Sequence, residues 1–135
     1  MYLEREVSTI GNSLFCPICD SHQPFLRNTF IFRAPSFLIL QIKRFAVGSE
    51  NMVCKDNRLV HCSPKLTITS SENKLVKYKL MAVIAHTGSC TSGHYTVQCF
   101  DEKSGLIFHC NDQHVSRTKI FNSNNAYVLF YVRVS

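Results

Sequence analysis

Apolar residues along this chain recur at every second position or in short unbroken runs, the period of strands rather than of a helix stripe. FLRNTFIF (25–32) and SFLILQIKRF (36–45) are rich in Phe, Ile and Leu, and they are split by Arg33-Ala34-Pro35. Both read as strands near the core. NRLVHC (57–62) and KLTITS (65–70) flank Ser63-Pro64 and read as shorter, more exposed strands. After the polar turn Ser70-Ser71-Glu72-Asn73 comes YKLMAVIAHTG, whose LMAVIA centre predicts a strand buried on both faces. GHYTVQCF and LIFHC flank Asp101–Gly105 as the arms of a hairpin, and YVLFYVRV closes the pattern. The stretch between Asp112 and Asn125 is the one candidate for a short helix or irregular turn, ended by NSNN. No amphipathic helix of three turns, internal repeat or dividing linker is evident. The pattern predicts a mostly antiparallel β-sheet.

Composition adds bounds. With 135 residues, 45% of them hydrophobic, the chain is one domain or a piece of one, with enough apolar content to bury a core. The net charge of +6 suits nucleic acid, but the cations are scattered, and only Lys43-Arg44 and Lys74/Lys77/Lys79 form local patches. Both patches read as solvated faces, with the QIKRF pair marking the exit of a buried strand into water. Neither nucleic acid nor membrane is expected as a partner. The N-terminus has no apolar signal core, and no apolar run reaches about 18 residues, so an intracellular chain, cytoplasmic or nuclear, is expected. Seven cysteines, an odd and unevenly spaced set, favour metal or thiol chemistry over disulfides.

The stretch HTGSCTSGHYTVQCF (86–100) concentrates the chemistry. His94 follows Ser92-Gly93 and begins a strand of β-branched and aromatic residues, so its imidazole sits at a rigid strand mouth beside a flexible Gly/Ser loop. At the far end of the second hairpin arm stand Asn111-Asp112, which an antiparallel ladder brings to within a strand spacing of roughly 5 Å. A side-chain oxygen there accepts from Nδ1–H of His94 and leaves Nε2 free for a nucleophile. The plainer reading is a turn, which Asn and Asp also make well. Cys99 lies an odd number of positions from His94 and faces the other side; Cys90 lies in the loop and is a weak candidate nucleophile. Cys16-Pro17-Ile18-Cys19 turns two thiolates toward one metal, half of a tetrahedral zinc site. Cys54, Cys62, His22 and His61 are alternative local ligands of unorthodox spacing.

The order YKLMAVIAHTG, SGHYT, HCNDQHV, AYVLFYVR resembles the histidine box of the ubiquitin-specific proteases, and SFLILQIKRF and CPIC resemble that family's Lys-Arg-Phe strand and one of its zinc knuckles. The resemblance spans residues 14 to 132. It implies an α+β, papain-like cysteine protease fold, of which this chain is the mostly antiparallel β palm and fingers portion. His94 is then the general base and Asn111 its orienter, with Asp112 beside it as substitute or oxyanion-side helper. The loop Thr87–Gly93 borders the channel for the substrate's Gly-Gly tail, with Gly88, Ser92, Gly93 and Tyr95 as substrate-binding residues. Cys110 replaces the family's usual Phe.

The family's Gly-Asn-Thr-Cys-Tyr-type nucleophile motif has no match here; IGNSLFCPIC has the wrong spacing, and its Cys16 opens the metal pair. A base without a thiolate forms no acyl-enzyme. Residues 1–135 are therefore expected to be a partial catalytic domain, inactive alone and dependent on an upstream half for its thiol. The expected partners are ubiquitin and ubiquitinated proteins. Catalysis needs no cofactor, and Cys16/Cys19 offer an incomplete site for structural zinc. The alternative is a catalytically dead ubiquitin-binding or regulatory module.

Overall fold

The computed structural model describes residues 5–7, 13–47 and 52–134, which divide into two compact units. The smaller unit, residues 1–34 and 68–75, is built from two ribbons. In one, β1 (Arg5–Val7) pairs with β4 (Leu26–Asn28); in the other, β2 (Leu14–Cys16) pairs with β3 (Ser21–Gln23) around a turn whose Asp20 has φ 51°. The strand expected over 25–32 shrinks to β4. Beyond it, the carbonyls of Ile31 and Phe32 accept from the backbone N–H and hydroxyl of Ser71 instead of from a ladder.

The larger unit, residues 35–67 and 76–135, carries the main sheet. Its strands are β5 (Phe37–Gln41), β8 (Lys65–Thr69), β9 (Leu75–Gly88), β10 (Gly93–Asp101), β11 (Leu106–Asn111), β12 (His114–Thr118) and β13 (Ala126–Arg133). They run in the order β12-β11-β10-β9-β13-β5, with β8 also pairing β9. A separate ribbon joins β6 (Phe45–Val47) to β7 (Val53–Lys55). The pairings that join β5 and β9–β13 are antiparallel, as the alternating pattern predicts. The α+β expectation finds no helix among the described residues; they form strands, turns and coil.

One face of the sheet buries Leu38, Val83, Leu129 and Tyr131, with the Tyr131 hydroxyl donating to Ser63 O at 2.8 Å. The opposite face leaves Phe37 and Ile39 largely exposed. Burial of LMAVIA on both faces is therefore only half realised: Leu80 and Val83 are buried, whereas Met81, Ala82, Ile84 and Ala85 are partly covered. A bulge between Leu80 and Ala82 shifts the register against β13.

Two further expectations are corrected. Residues 112–125 hold no helix but contain β12, joined to β11 by a two-residue turn in which Asp112 has φ 51°. HVSRT is an exposed edge strand and so carries no apolar alternation to announce it. NRLVHC forms no strand. The carbonyls of Asp56 and Arg58 are taken instead by Arg44 Nη1, at 2.7 and 2.9 Å.

Arg44 also overturns the reading of QIKRF as an exit into solvent. Lys43 is exposed, but Arg44 is 1% exposed and its Nε donates to Ala126 O at 2.6 Å. The chain turns at Ile42–Arg44, where Arg44 N–H bonds back to Ile42 O, and this breaks the expected 36–45 strand into β5 and β6. One guanidinium thus ties β13 to the segment after β7. Replacing it by an apolar side chain, Arg44→Met, strands three acceptors and is expected to cost about 2–4 kcal/mol. Urea denaturation of the two proteins measures this, and an unchanged midpoint would refute the role.

Candidate active site

The β9–β10–β11 meander sets the geometry. His94 pairs with Thr87 across the β9–β10 ladder, and Gln98 pairs with His109 across β10–β11. Two-residue periodicity therefore puts His94, Thr96 and Gln98 on one face with His109 and Asn111. The last β10–β11 pair is Val97 with Cys110, so Asn111 stands opposite the Thr96 position and His94 lies two residues further along. Across that diagonal the ring reaches Asn111: His94 Nε2 lies 2.7 Å from Asn111 Oδ1.

This reverses the expected ring orientation. The nitrogen facing Asn111 is Nε2, not Nδ1, because only the outer end of the imidazole spans the diagonal offset. An amide oxygen accepts, so Nε2 carries the proton and the lone pair is left on Nδ1. Asp112 Oδ2 lies 3.7 Å from Nε2, beyond hydrogen-bond range. Both readings of Asn111-Asp112 hold together: Asn111 ends a strand and bonds His94, and Asp112 makes the turn. His94 is half exposed, and the same face continues into a polar cleft of about 430 Å³ lined by Thr87, Thr96, Gln98, His109 and Asn122. Gln98 is buried there, its Oε1 accepting from Asn122 N–H at 2.6 Å.

The residues before His94 form a compact loop. Ser89 Oγ accepts from the N–H groups of Thr91 and Ser92, and Ser89 N–H donates to Ser92 O at 2.8 Å. Gly88 has φ 119°, a conformation open to glycine. At Gly93 the need is close approach: a Cβ would collide with His86 Nε2 and with Thr87 O. Gly88, Ser92 and Gly93 are thus brought together beside His94. Tyr95, 53% exposed, falls on the other face, with its ring centroid 4.6 Å from that of His86.

Pattern reading assigned no role to two residues of this neighbourhood. His86 is 5% exposed, packed against Phe45, Tyr95 and Tyr127, and its Nδ1 has no partner. Burial, with the nearby Lys55 ammonium second, holds its pKa below the ordinary 6.5. Lys55 Nζ donates to the carbonyls of His86 and Gly88. His86 is visible in the HTG motif, whereas Lys55 lies about thirty residues away in sequence and carries no local signal.

All seven cysteines are free, and none hydrogen-bonds His94 among the described residues. Cys90 is exposed in the loop. Cys99 lies on the face away from His94, where burial first and neighbouring Cys110 second push its thiol up. Cys62 is also raised by burial. Cys16 behaves differently: N–H groups of Cys19 and Ile18 and then the Cys19 side chain lower its pKa, as suits a metal-ready thiolate. Two thiols fit half of a tetrahedral zinc site; among the described residues no group of three potential ligands forms, His22, His61, Cys54 and Cys62 included. No described helix is long and apolar enough to cross a membrane.

A family model described as ubiquitin carboxyl-terminal hydrolase matches residues 8–131. A probable ubiquitin carboxyl-terminal hydrolase of Acanthamoeba polyphaga mimivirus is 30% identical over 98% of this chain and 30% of its own length. Human ubiquitin carboxyl-terminal hydrolase 42 is 35% identical over 90% of this chain and 9% of its own. Among solved structures, the Ubp8-containing SAGA DUB module bound to ubiquitin aldehyde superposes with a TM-score of 0.82 at 25% identity, covering 99% of this chain and 32% of the matched one. A yeast SAGA DUB module gives 0.86 at 26%, with 99% and 31% covered. The chain spans about a third or less of these relatives.

The buried histidine makes stability pH-dependent. A histidine whose folded-state pKa lies below its unfolded value stabilises fully above the unfolded value, near 6.5, and this contribution is lost as pH falls below it. Between pH 7 and 5 the denaturation midpoint is expected to fall, and to fall less in His86→Phe, which keeps the aromatic packing. Parallel pH profiles for the two proteins would exclude His86 as the source.

Proposed function

Because this chain belongs to the ubiquitin carboxyl-terminal hydrolase family, we propose that it contributes the base-bearing part of a thiol-dependent deubiquitinase site that cleaves ubiquitin–lysine isopeptide bonds. The observation that carries the reading is the 2.7 Å contact between His94 Nε2 and Asn111 Oδ1. It fixes the tautomer that leaves Nδ1 as a base. The nucleophilic thiol comes from polypeptide other than residues 1–135, since none of the seven cysteines engages His94.

In this mechanism Nδ1 takes the thiol proton and the thiolate attacks the carbonyl carbon of the ubiquitin C-terminus. The imidazolium, held by Asn111, returns the proton to the departing lysine amine. His94 then draws a proton from the water that cleaves the thioester. The loop of Gly88, Ser92 and Gly93 borders the path of the Gly-Gly tail, and Tyr95 flanks it from the other face. Cys16 and Cys19 of the smaller unit would hold a structural zinc ion in part, as two thiolate ligands.

Two measurements test the proposal. A ubiquitin probe with a thiol-reactive C-terminal group should label the full-length protein, and His94→Ala should slow labelling by about 10²–10⁴-fold, with Asn111→Ala intermediate. Absence of labelling with ubiquitin binding retained would make the chain a non-catalytic ubiquitin-binding module. For zinc, elemental mass spectrometry should find one ion per native chain and a loss in Cys19→Ser; equal content in the two proteins would refute the ligand assignment.

A further inference from the structure

Past the end of β13, β9 runs on without a strand at that edge. The last ladder pair is Ala126 with Ala85, and one more bond, from His86 N–H to Asn125 O at 3.0 Å, closes it. Alternate residues of a strand turn their backbone groups to the same edge, so the carbonyls of His86 and Gly88 face the side that β13 has left. The opposite edge is occupied by β10, where Thr87 pairs with His94. Partly covered carbonyls left unpaired cost free energy, and an ammonium with three donors is a compact group able to serve two of them. Lys55, the last residue of β7, does so: its Nζ lies 2.8 Å from His86 O and 2.9 Å from Gly88 O.

The ribbon that carries Lys55 is fitted to the same place. Its cross-strand partner is Phe45, whose ring meets the His86 ring edge-on at 5.6 Å. One pair of the β6–β7 ribbon therefore grips His86 twice, by ring and by carbonyl. Among the described residues no carboxylate forms an ion pair with Lys55.

We propose that Lys55 is a positioning residue for the reaction. It closes the free edge of β9 in place of a strand and so keeps the Thr87–His94 pair, and with it the imidazole, aligned on Asn111. The idea rests on the reading of His94 as general base. Loss of the clamp loosens the 86–94 segment and misplaces His94, which lowers turnover more than substrate binding because alignment matters most in the transition state.

The test compares the full-length protein with Lys55→Met and Lys55→Arg by hydrogen exchange and by hydrolysis of a fluorogenic ubiquitin C-terminal amide. In Lys55→Met, amides of residues 87–94 should exchange faster and kcat should fall roughly tenfold or more at nearly constant KM. Lys55→Arg, which keeps a cationic donor, should restore most of both. Unchanged exchange in Lys55→Met, or faster exchange with unchanged kcat, overturns the proposal. The unsubstituted protein separates this idea from the reading beneath it: an inactive unsubstituted protein whose exchange depends on Lys55 counts against the ubiquitin reaction and for the clamp. An active one indifferent to Lys55 counts against the clamp alone.

Discussion

The ladder between β9 and β10 is the constraint on which the other placements depend. Pairing Thr87 with His94 puts the imidazole on the face of Gln98 and His109, and Gly93 and Tyr95 on the face of His86. A slip of one residue would exchange the faces and leave Asn111 without its partner. Packing holds the register from below, with Val83 and Leu129 buried side by side. The chemistry at the strand mouth is therefore only as precise as an apolar layer several residues away from it.

Where the sheet ends or changes direction, long cations take over the bonding that a strand would have provided. Arg44 gathers carbonyls of Ala126, Asp56 and Arg58, and Lys55 those of His86 and Gly88. Both sit around the start of β13. The segment between β7 and β8 is in consequence held in place without being a strand. Irregular backbone survives here because its acceptors are met by side chains. The chain's net positive charge is thus partly structural, with some cations committed to backbone oxygen rather than offered to a partner.

Much of this was legible in the residues. The hairpin from Gly93 to Asn111 and the strands β9 and β13 followed from alternation and from a Gly-containing turn, since each has a face that must be covered. The His94–Asn111 pairing followed from folding that hairpin. What escaped notice lacks a local signature. Edge strand β12 is exposed on both faces and so alternates nothing; Arg44 looks like any strand-end cation until its distant carbonyls are known. The ring nitrogen facing Asn111 depended on a two-residue diagonal offset that a drawn hairpin does not reveal. The Cys16-Cys19 spacing was equally legible, but whether further ligands meet it is a matter of three dimensions, and among the described residues no third potential ligand joins the pair.

Asp112 joins two demands that have nothing to do with each other. The turn between β11 and β12 needs a residue that tolerates φ 51°, which favours Gly, Asn or Asp over nearly all others. The imidazole beside it has the Asp112 carboxylate 3.7 Å from its Nε2. Aspartate belongs to both short sets, so the electrostatics of the histidine are partly inherited from the stereochemistry of a hairpin. A lineage drifting at this position has few choices, and each of them that keeps the turn resets the field at His94 to either one negative charge or none.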